Sequence, residues 1–279
     1  MTGQLYVVAT PIGNLQDITL RALDVLKSVD GVAAEDTRHS QGLLAHYGIR
    51  KPLLALHEHN ERQASDKVLA QLQAGRNIAL ITDAGTPGIS DPGAILVEQA
   101  HAAGIRVVPV PGPSAVVTAL SAAGLLNGRF LFHGFLPSKA GARRAELERL
   151  QEQDANLVFY EAPHRVVETV ADMAQLLGER TLVIARELTK TFETIHRLPL
   201  QDALAWLEGD ANRQRGEFVL IVSGAVTVRE DELPPAALKI LQILLAELPV
   251  KQASKLAAEI SGEKKNRLYE AALQLKHPS

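Results

Sequence analysis

The chain has 279 residues, of which 46% are hydrophobic and 22% charged, and its formal net charge is -3. This length suits two domains with sizeable cores, and the net charge means that any contact with nucleic acid must rest on a local basic patch. The absence of cysteine excludes disulfides, thiolate catalysis and cysteine-ligated metal sites. Residues 1–6 lack a signal-peptide pattern and no apolar stretch approaches the ~18 residues of a membrane helix, so we expect a cytoplasmic protein without a membrane partner.

The first 112 residues alternate predicted strands with predicted helices. Apolar, β-rich runs predict strands at residues 5–9, 31–34, 53–56, 77–80 and 105–110. Helical spacing of apolar residues predicts helices at 17–29, 43–47, 61–74 and 94–103. Polar or Gly/Pro loops follow the strands. This alternation predicts a mostly parallel α/β sheet.

A loop rich in glycine and proline, residues 81–93, lies between the fourth predicted strand and the next helix. Open α/β sheets bind ligands at the carboxyl ends of their strands, and glycine lets a ligand approach the backbone closely. We therefore predict a binding loop, with a tight turn that holds no ligand as the alternative. Asp91 followed by Pro92 predicts an N-cap with proline at the first helical position.

The second half mixes strands and helices less regularly. Strands are predicted at residues 129–133, 156–160, 181–186, 191–196 and 217–222, and helices at 115–123, 141–151, 163–177 and 200–207. The strands near Thr191 and Glu217 suggest antiparallel pairing in this half. Three helices follow, with breaks at Pro249 and near Gly262. The predicted divisions are an α/β domain at 1–112, a second at 113–225, a linker at 226–235 and a helical extension at 236–279.

Common nucleotide and metal motifs do not explain the chain. A G-x-G-x-x-G fingerprint after the first strand and a G-x-x-x-x-G-K-[ST] loop are both absent, which disfavours dehydrogenases and P-loop NTPases. His57, Glu58 and His59 are candidate metal ligands. However, alternation along a strand would place Glu58 on the opposite face, so we interpret them as solvated loop residues and predict no metal site.

Several short motifs occur in a characteristic order. They are TPIGNL at residues 10–15, AEDTR at 34–38, DAGTPGISDPG at 83–93, VPGPSA at 110–115, GFLP at 134–137, FYEAPHR at 159–165, ARELTK at 185–190 and RGEF at 215–218. Over residues 4–275 the chain resembles the ribosomal RNA small subunit methyltransferase I family. That family is a branch of the tetrapyrrole-methylase (class III) superfamily of S-adenosylmethionine-dependent enzymes.

The resemblance implies a fold, a reaction and partners. The fold is two α/β domains with the cofactor in the cleft between them, assembled as a homodimer. The reaction is methyl transfer from S-adenosylmethionine to the ribose 2′-OH of a cytidine in the decoding region of 16S rRNA, as RNA or within the small ribosomal subunit. The cofactor-binding residues implied are Pro11, Asp83, Ala84, Gly85, Thr86, Ile89, Ser114, Ala115, Glu161 and Leu188.

The chemistry of such a reaction needs positioning and a proton acceptor. A sulfonium carries its own leaving group, so no metal is required, and in-line positioning supplies most of the rate. A ribose hydroxyl is very weakly acidic, so a carboxylate or a basic side chain should accept its proton during attack. Glu35, Asp36 and Lys190 are the candidates. By resemblance, the proton-accepting carboxylate of the family falls at Glu35.

Basic residues predict where RNA would bind. The guanidinium groups of Arg38, Arg165 and Arg186 match phosphate geometry, although ion pairs between domains would also explain them. The last two predicted helices are spaced like a helix-turn-helix. They carry the basic residues Lys251, Lys255, Lys264, Lys265 and Arg267. This local positive charge suits an RNA backbone, and a solvated helical cap is the alternative.

Two other classes of function remain open from the residues alone. One is a methyltransferase that acts on a tetrapyrrole (corrin) precursor. Against it stand the basic helical extension and the Glu35-Asp36-Thr37-Arg38 motif. The other is a non-enzymatic, RNA-binding assembly factor, which would bind no S-adenosylmethionine.

Overall fold

The computed structural model describes residues 2–225 and 233–276. Contacts divide the chain into two compact units, Met1–Gly224 and Ala225–Ser279. The first unit holds two five-stranded sheets, which confirms the predicted mixed α/β class with a helical extension. Since both sheets lie in one compact unit, the boundary at residue 112 stays a prediction. Residues 226–232 of the predicted linker lie outside the described residues.

The first sheet is wholly parallel in its described pairings, in the order β3-β2-β4-β1-β5. Its strands are β1 (Gln4–Val8), β2 (Gly31–Ala34), β3 (Leu53–Ala55), β4 (Ile78–Ile81) and β5 (Arg106–Val110). Ile78 and Leu80 join the core on one face, whereas Ala79 and Ile81 join the core on the other. Because both faces are covered, the central strands read as continuous apolar runs.

Helices of the first half differ from prediction mainly at their starts. They are α1 (Leu20–Ser28), α2 (Thr37–His46), α3 (Glu61–Gln73), α4 (Ala94–Ala102) and α5 (Ala115–Ala122). The helix predicted at 43–47 begins six residues earlier, because the Asp36 carboxylate caps it by accepting the Arg38 N–H at 2.7 Å and the His39 N–H at 3.4 Å.

The predicted N-cap at Asp91 is wrong. Helix α4 starts at Ala94, and its N-cap is Gly93 with φ +130°. A distant carboxylate does the capping: Glu61 Oε1 accepts the N–H groups of Gly93 at 2.8 Å and Ile95 at 3.1 Å. Asp91 is thereby left for another role.

The second sheet has the order β6-β7-β10-β8-β9. Its strands are β6 (Phe130–Phe135), β7 (Asn156–Glu161), β8 (Thr181–Arg186), β9 (Thr194–Pro199) and β10 (Phe218–Val222). The β6–β7 pairing is parallel and the other three are antiparallel, which confirms antiparallel pairing in this half. However, β9 and β10 each pair with β8 and not with one another. Strand β9 also begins three residues later than predicted, because residues 187–193 form a turn in which Thr189 N–H donates to Glu193 Oε2 at 2.6 Å.

The two faces of the second sheet pack differently. Helices α6 (Ala140–Arg149), α7 (Val166–Leu176) and α8 (Ala203–Glu208) follow its strands. Leu147, Val170 and Leu207 from these helices join the core on one face. The other face packs against α5 and Ile12 of the first half. The carboxyl ends of the parallel strands therefore lie close to the second sheet.

The second unit is a three-helix arrangement, which confirms the predicted extension. Its helices are α9 (Pro235–Glu247), α10 (Val250–Ser261) and α11 (Lys265–Lys276). Leu241, Ala257 and Leu268 belong to a core that this unit forms on its own. Gly262, with φ +76°, ends α10 in the left-handed conformation. Within the described part of the chain, no helix has the length and apolar character needed to cross a bilayer.

Candidate active site

A cavity of about 400 Å³ lies between the loops of the first sheet and one end of the second. Loops after β1, β4 and β5 form one wall, because parallel strands end at the same edge of a sheet. The ends of β6, β7 and β8 and the start of β10 form the other. The lining residues are Ile12, Ala84, Gly85, Thr86, Ile89, Ser90, Asp91, Ser114, Ala115, Phe135, Tyr160, Glu161, Ala162, Pro163, Ala185, Leu188, Glu217, Phe218 and Val219.

Backbone hydrogen bonds lock the first wall. Thr10 and Gly85 exchange N–H···O bonds of 2.9 and 3.1 Å, and Thr86 Oγ1 donates to Pro113 O at 3.0 Å. Gly85 has φ +82°, a conformation that side chains strongly disfavour. A Cβ there would contact Ile12 Cγ2 at 3.4 Å. The three loops therefore form one preorganised surface, and the positive φ of Gly85 favours glycine at this position.

A buried carboxylate anchors the second wall. Glu161 Oε1 accepts the Ala162 N–H at 2.8 Å, and its Oε2 accepts the Thr169 hydroxyl at 2.6 Å. The Arg165 guanidinium lies 3.3 Å from Oε1. A buried charge is tolerated when it is paired and hydrogen-bonded in this way. Glu161 therefore fixes the end of β7, where the wall meets the cavity.

The loop after β8 joins the two walls. Glu187 and Thr189 have φ of +52° and +64°, and such strain persists only when neighbours over-determine it. Lys190 Nζ holds Glu187 Oε1 at 3.0 Å and Glu217 Oε2 at 2.8 Å. A Cβ on Gly13 would lie 2.6 Å from Lys190 Cγ, so only glycine permits this approach. We call the pairing of Lys190 with Glu187 and Glu217 the clamp. It holds the loop in a conformation in which Leu188 lines the cavity.

Four carboxylates gather beside the first wall, and their environments differ. Burial raises the pKa of Glu35, the Asp83 N–H opposes this, and the charges of Asp91, Asp83 and Asp36 raise it further. Burial also raises the pKa of Asp91, and the charge of Asp83 adds to the shift. In contrast, the N–H groups of Arg38 and His39 lower the pKa of Asp36. Of the four, Asp91 lines the cavity.

The structure brings most of the predicted cofactor residues together. Ala84, Gly85, Thr86, Ile89, Ser114, Ala115, Glu161 and Leu188 all line the cavity. Pro11 is buried beside the lining residue Ile12. Asp83 stands behind the wall, where its Oδ1 accepts the Asp36 N–H at 3.1 Å.

Several cavity residues escaped the sequence analysis. The sequence favours a helix cap at Asp91, although its position in a rigid loop is also typical of a residue that faces a ligand. Tyr160 and Phe135 lay inside recognised motifs without an assigned role. The predicted strand ends at residue 133, whereas the observed strand β6 continues to Phe135.

Two of the three arginines proposed to bind RNA already form ion pairs or hydrogen bonds within the protein. Arg165 pairs with Glu161 and donates to Leu136 O at 2.6 Å. Arg186 donates to Arg215 O at 3.0 Å and to Phe192 O at 3.1 Å. Arg38 is exposed at the start of α2.

The basic residues of the second unit are largely open to solvent. Lys251, Lys255, Lys264 and Lys265 are all exposed. Lys255 Nζ lies 3.8 Å from Glu259 Oε1. Arg267 is less exposed and pairs with Glu263 at 2.7 Å.

The candidate ligands at residues 57–59 form no metal centre in this arrangement. His57 is partly buried, whereas Glu58 and His59 are exposed. Throughout residues 2–225 and 233–276, no group of three or more His, Asp or Glu side chains is placed to hold a metal ion.

Comparison with known proteins identifies the family. A model described as tetrapyrrole (corrin/porphyrin) methylases matches residues 4–204. The ribosomal RNA small subunit methyltransferase I of Pseudomonas aeruginosa is 57% identical over 274 residues, which cover 98% of this chain and 97% of that protein. The chain belongs to the ribosomal RNA small subunit methyltransferase I family. The enzyme of that name from Escherichia coli O157:H7 is 56% identical over 273 residues, covering 98% of this chain and 95% of that protein.

Two further comparisons describe the parts of this methyltransferase. A model described as the RsmI C-terminal HTH domain matches residues 231–276, the part of the chain where the sequence predicts a helical extension spaced like a helix-turn-helix. A crystal structure of uroporphyrin-III C-methyltransferase from Thermus thermophilus, complexed with S-adenosylhomocysteine, aligns with a TM-score of 0.56 at 18% identity. It covers 79% of this chain and 97% of that chain, and it shows that the fold is shared.

The raised carboxylate pKa values predict a stability cost at the site. A carboxyl group whose pKa is raised on folding binds its proton more tightly when folded, so stability falls as pH rises from its ordinary pKa through the raised one. We expect Asp91→Asn to raise the melting temperature at pH 7, with a smaller gain at pH 4. It should also lower the pKa of Glu35, measured by carboxyl NMR titration.

Asp24→Asn is the matched control, because Asp24 is an exposed aspartate on α1. It should change neither quantity. An Asp91→Asn protein that melts lower at pH 7, or that leaves the Glu35 titration unmoved, would contradict this account of the site.

Proposed function

We propose that this protein transfers a methyl group from S-adenosylmethionine to the ribose 2′-OH of a cytidine in the decoding region of 16S rRNA. The observation that carries the proposal is the identity of 57% over 98% of the chain to a ribosomal RNA small subunit methyltransferase I. The ribose and the cytidine come from the family resemblance. The direct test is to map ribose methylation of 16S rRNA from cells with and without this protein.

The cavity fits the proposed cofactor in size and chemistry. Its volume of about 400 Å³ lies within the usual range for small-molecule sites. Ile12, Leu188 and Val219 supply apolar contact, and exposed backbone at Ala84 supplies polar groups. Asp91 supplies negative charge for a sulfonium. The fold neighbour complexed with S-adenosylhomocysteine supports the same choice.

When bound, S-adenosylmethionine supplies an electrophilic methyl group and a neutral thioether leaving group. The loops of the first wall position the reacting groups, because their backbone bonds fix them before any ligand arrives. A carboxylate must then accept the hydroxyl proton. We propose Glu35 for this task, since burial and neighbouring acids make it a stronger base than an ordinary glutamate.

The other two candidate bases are less suited. Capping N–H groups hold the pKa of Asp36 down and occupy its carboxylate. Partial burial alone would lower the pKa of Lys190, but Glu217 and Glu187 outweigh it and raise that pKa. A lysine in this state keeps its proton at neutral pH. Lys190 therefore serves better as the clamp between the walls.

We propose the helical extension as the RNA-binding arm. Residues 233–276 contain seven lysines and arginines against four glutamates, although the whole chain is acidic. Lys264 lies just before α11 and Lys265 begins it, where a helix N-terminus adds its own attraction for phosphate. If the substrate were a tetrapyrrole, this basic unit would have no identified binding role. The homodimer implied by the resemblance and the cytoplasmic location expected from the sequence are proposed with it.

The first prediction concerns the cofactor loop. Gly85→Val should abolish S-adenosylmethionine binding in calorimetry, because valine disfavours φ +82° and its branched side chain would occupy space beside Ile12 at the cavity. Gly104→Val, at a glycine of similar φ outside the cavity, controls for backbone strain alone. Unchanged affinity in a folded Gly85→Val protein would remove this loop from the site.

The second prediction concerns the base. Glu35→Gln keeps the size of the side chain but loses its charge, so turnover on small ribosomal subunits should fall by ~10²–10⁴-fold. Cofactor affinity in calorimetry should stay near that of the wild type. If turnover stayed within about threefold of wild type, the loss would be too small for a general base, and Asp91 would become the candidate.

The third prediction concerns the arm. Lys264→Gln combined with Lys265→Gln should weaken RNA binding and lower the log–log salt slope by up to about 1.4, at about 0.7 per single-strand contact. Lys27→Gln combined with Lys67→Gln makes the same change of charge at exposed lysines of the first unit. Equal slopes in the two double variants would refute the proposed arm.

A further inference from the structure

An aromatic cluster stands at the mouth of the cavity. The chain has only six Phe, four Tyr and one Trp, yet three of these rings meet here. Tyr160 lies 5.0 Å from Phe132 and 5.6 Å from Phe135 between ring centroids, both in edge-to-face geometry. Phe135 and Tyr160 line the cavity. Such a concentration of aromatic rings beside the cavity indicates a role in binding.

A local irregularity of strand β6 creates the cluster. In a regular strand, residues three apart point to opposite faces, so Phe132 and Phe135 would be separated. The pairing with β7 shifts by one between Phe132 and Gly134, so that Phe132 pairs with Val158 and Phe135 with Tyr160. One extra residue therefore returns Phe135 to the face of Phe132. Bulges of this kind commonly re-aim a side chain beside an active site.

The bulge also lies next to the predicted binding loop, residues 81–93. Gly134 adopts φ +79°, and a Cβ at this position would lie 3.6 Å from Ser90 Oγ. Phe135 is therefore placed next to the end of the loop that carries Ser90 and Asp91. The re-aimed ring faces the same opening as those polar groups.

Exposure separates the rim of the cavity from its interior. Phe135 and Ile89 are 53% and 52% exposed, whereas Leu188, Phe218 and Glu161 are buried. An acceptor that reaches a bound methyl group from solvent must pass this rim. An exposed phenyl ring offers a flat π surface, and proteins commonly stack unpaired RNA bases on such rings.

We propose that Phe135, backed by Tyr160, is the stacking platform for the unpaired base of the RNA nucleotide that enters the cavity. This inference rests on the proposed function and adds the position of the base. Tyr160 fixes Phe135 edge to face, so the platform is ordered before RNA arrives. Base stacking tolerates any base, since every base has a π face. The platform therefore holds the nucleotide but does not choose cytidine.

The test compares variants of Phe135 in the full-length protein. Small ribosomal subunits from cells that lack this protein serve as substrate, and transfer of labelled methyl groups gives kcat/KM. Phe135→Ala should lower kcat/KM roughly 5- to 150-fold, the usual loss for a stacked base. Phe135→Trp should remain within about threefold of wild type, because tryptophan keeps a ring face. Phe135→Leu should resemble alanine, since it lacks one.

Two further readouts distinguish other roles for the ring. S-adenosylmethionine affinity, by calorimetry, should be unchanged in every variant. Phe130→Ala is the matched control, because Phe130 lies on the same strand with 49% exposure but does not line the cavity. It should leave kcat/KM unchanged.

Each contrary outcome overturns the platform in a recognisable way. Unchanged kcat/KM in Phe135→Ala shows that no base stacks there. A parallel loss of cofactor affinity assigns the ring to the adenine of the cofactor. Equal losses in Phe130→Ala and Phe135→Ala, together with weaker self-association by sedimentation, assign the strand to an interface between copies. If the wild-type protein itself fails to methylate ribose in these subunits, the proposed function is wrong and the platform falls with it.

Discussion

The backbone pairing of Thr10 with Gly85 is the contact on which the site depends. Its two hydrogen bonds of 2.9 and 3.1 Å join the loops after β1 and β4, which leave neighbouring strands of one parallel sheet. Glycine is needed because the loop turns back with positive φ at this point. Once these loops are joined, Thr86 reaches the loop after β5. A single geometric requirement thus shapes the floor that a ligand would meet.

The opposite wall is held by charge. Glu161 is buried and paired, while Lys190 binds two carboxylates and holds a strained turn against Gly13. Charge is thus satisfied where the protein needs rigidity. At the cavity itself, Asp91 has no ion-pair partner among the described residues, and a cationic cofactor could approach it there.

Local patterns in the sequence predict the elements better than the site. Strand β4 was placed within one residue because its apolar run is buried on both faces. The N-cap of α4 was wrongly assigned to Asp91 because the carboxylate that caps this helix, Glu61, lies about thirty residues away in the chain. Strand β9 was placed too early because Thr191 and Phe192 favour strands, whereas contacts with Glu193 and Arg186 hold a turn.

Within the site, too, local motifs predict individual residues but not the contacts between distant segments. The resemblance supplied Gly85, Ser114 and Leu188, which do line the cavity, because motifs preserve which residue types the loops need. It could not supply the meeting of Phe135 with Tyr160, since that contact depends on one extra residue in a pairing between separate strands. Nor could it reveal that Arg165 and Arg186 are already occupied by Glu161 and by backbone carbonyls. Contacts across sheets decide these points, and a linear pattern does not contain them.

Because the fold is shared with other methyltransferases, the choice of substrate must depend on other features of this chain. A uroporphyrin-III C-methyltransferase aligns over 97% of its own length but only 79% of this chain, about the share that the first unit occupies here. What the two proteins have in common is therefore the fold. Under the proposed function, selection for RNA would rest on the rim around Phe135 and on the basic three-helix unit, because a ribosomal substrate extends far beyond the nucleotide that enters the cavity.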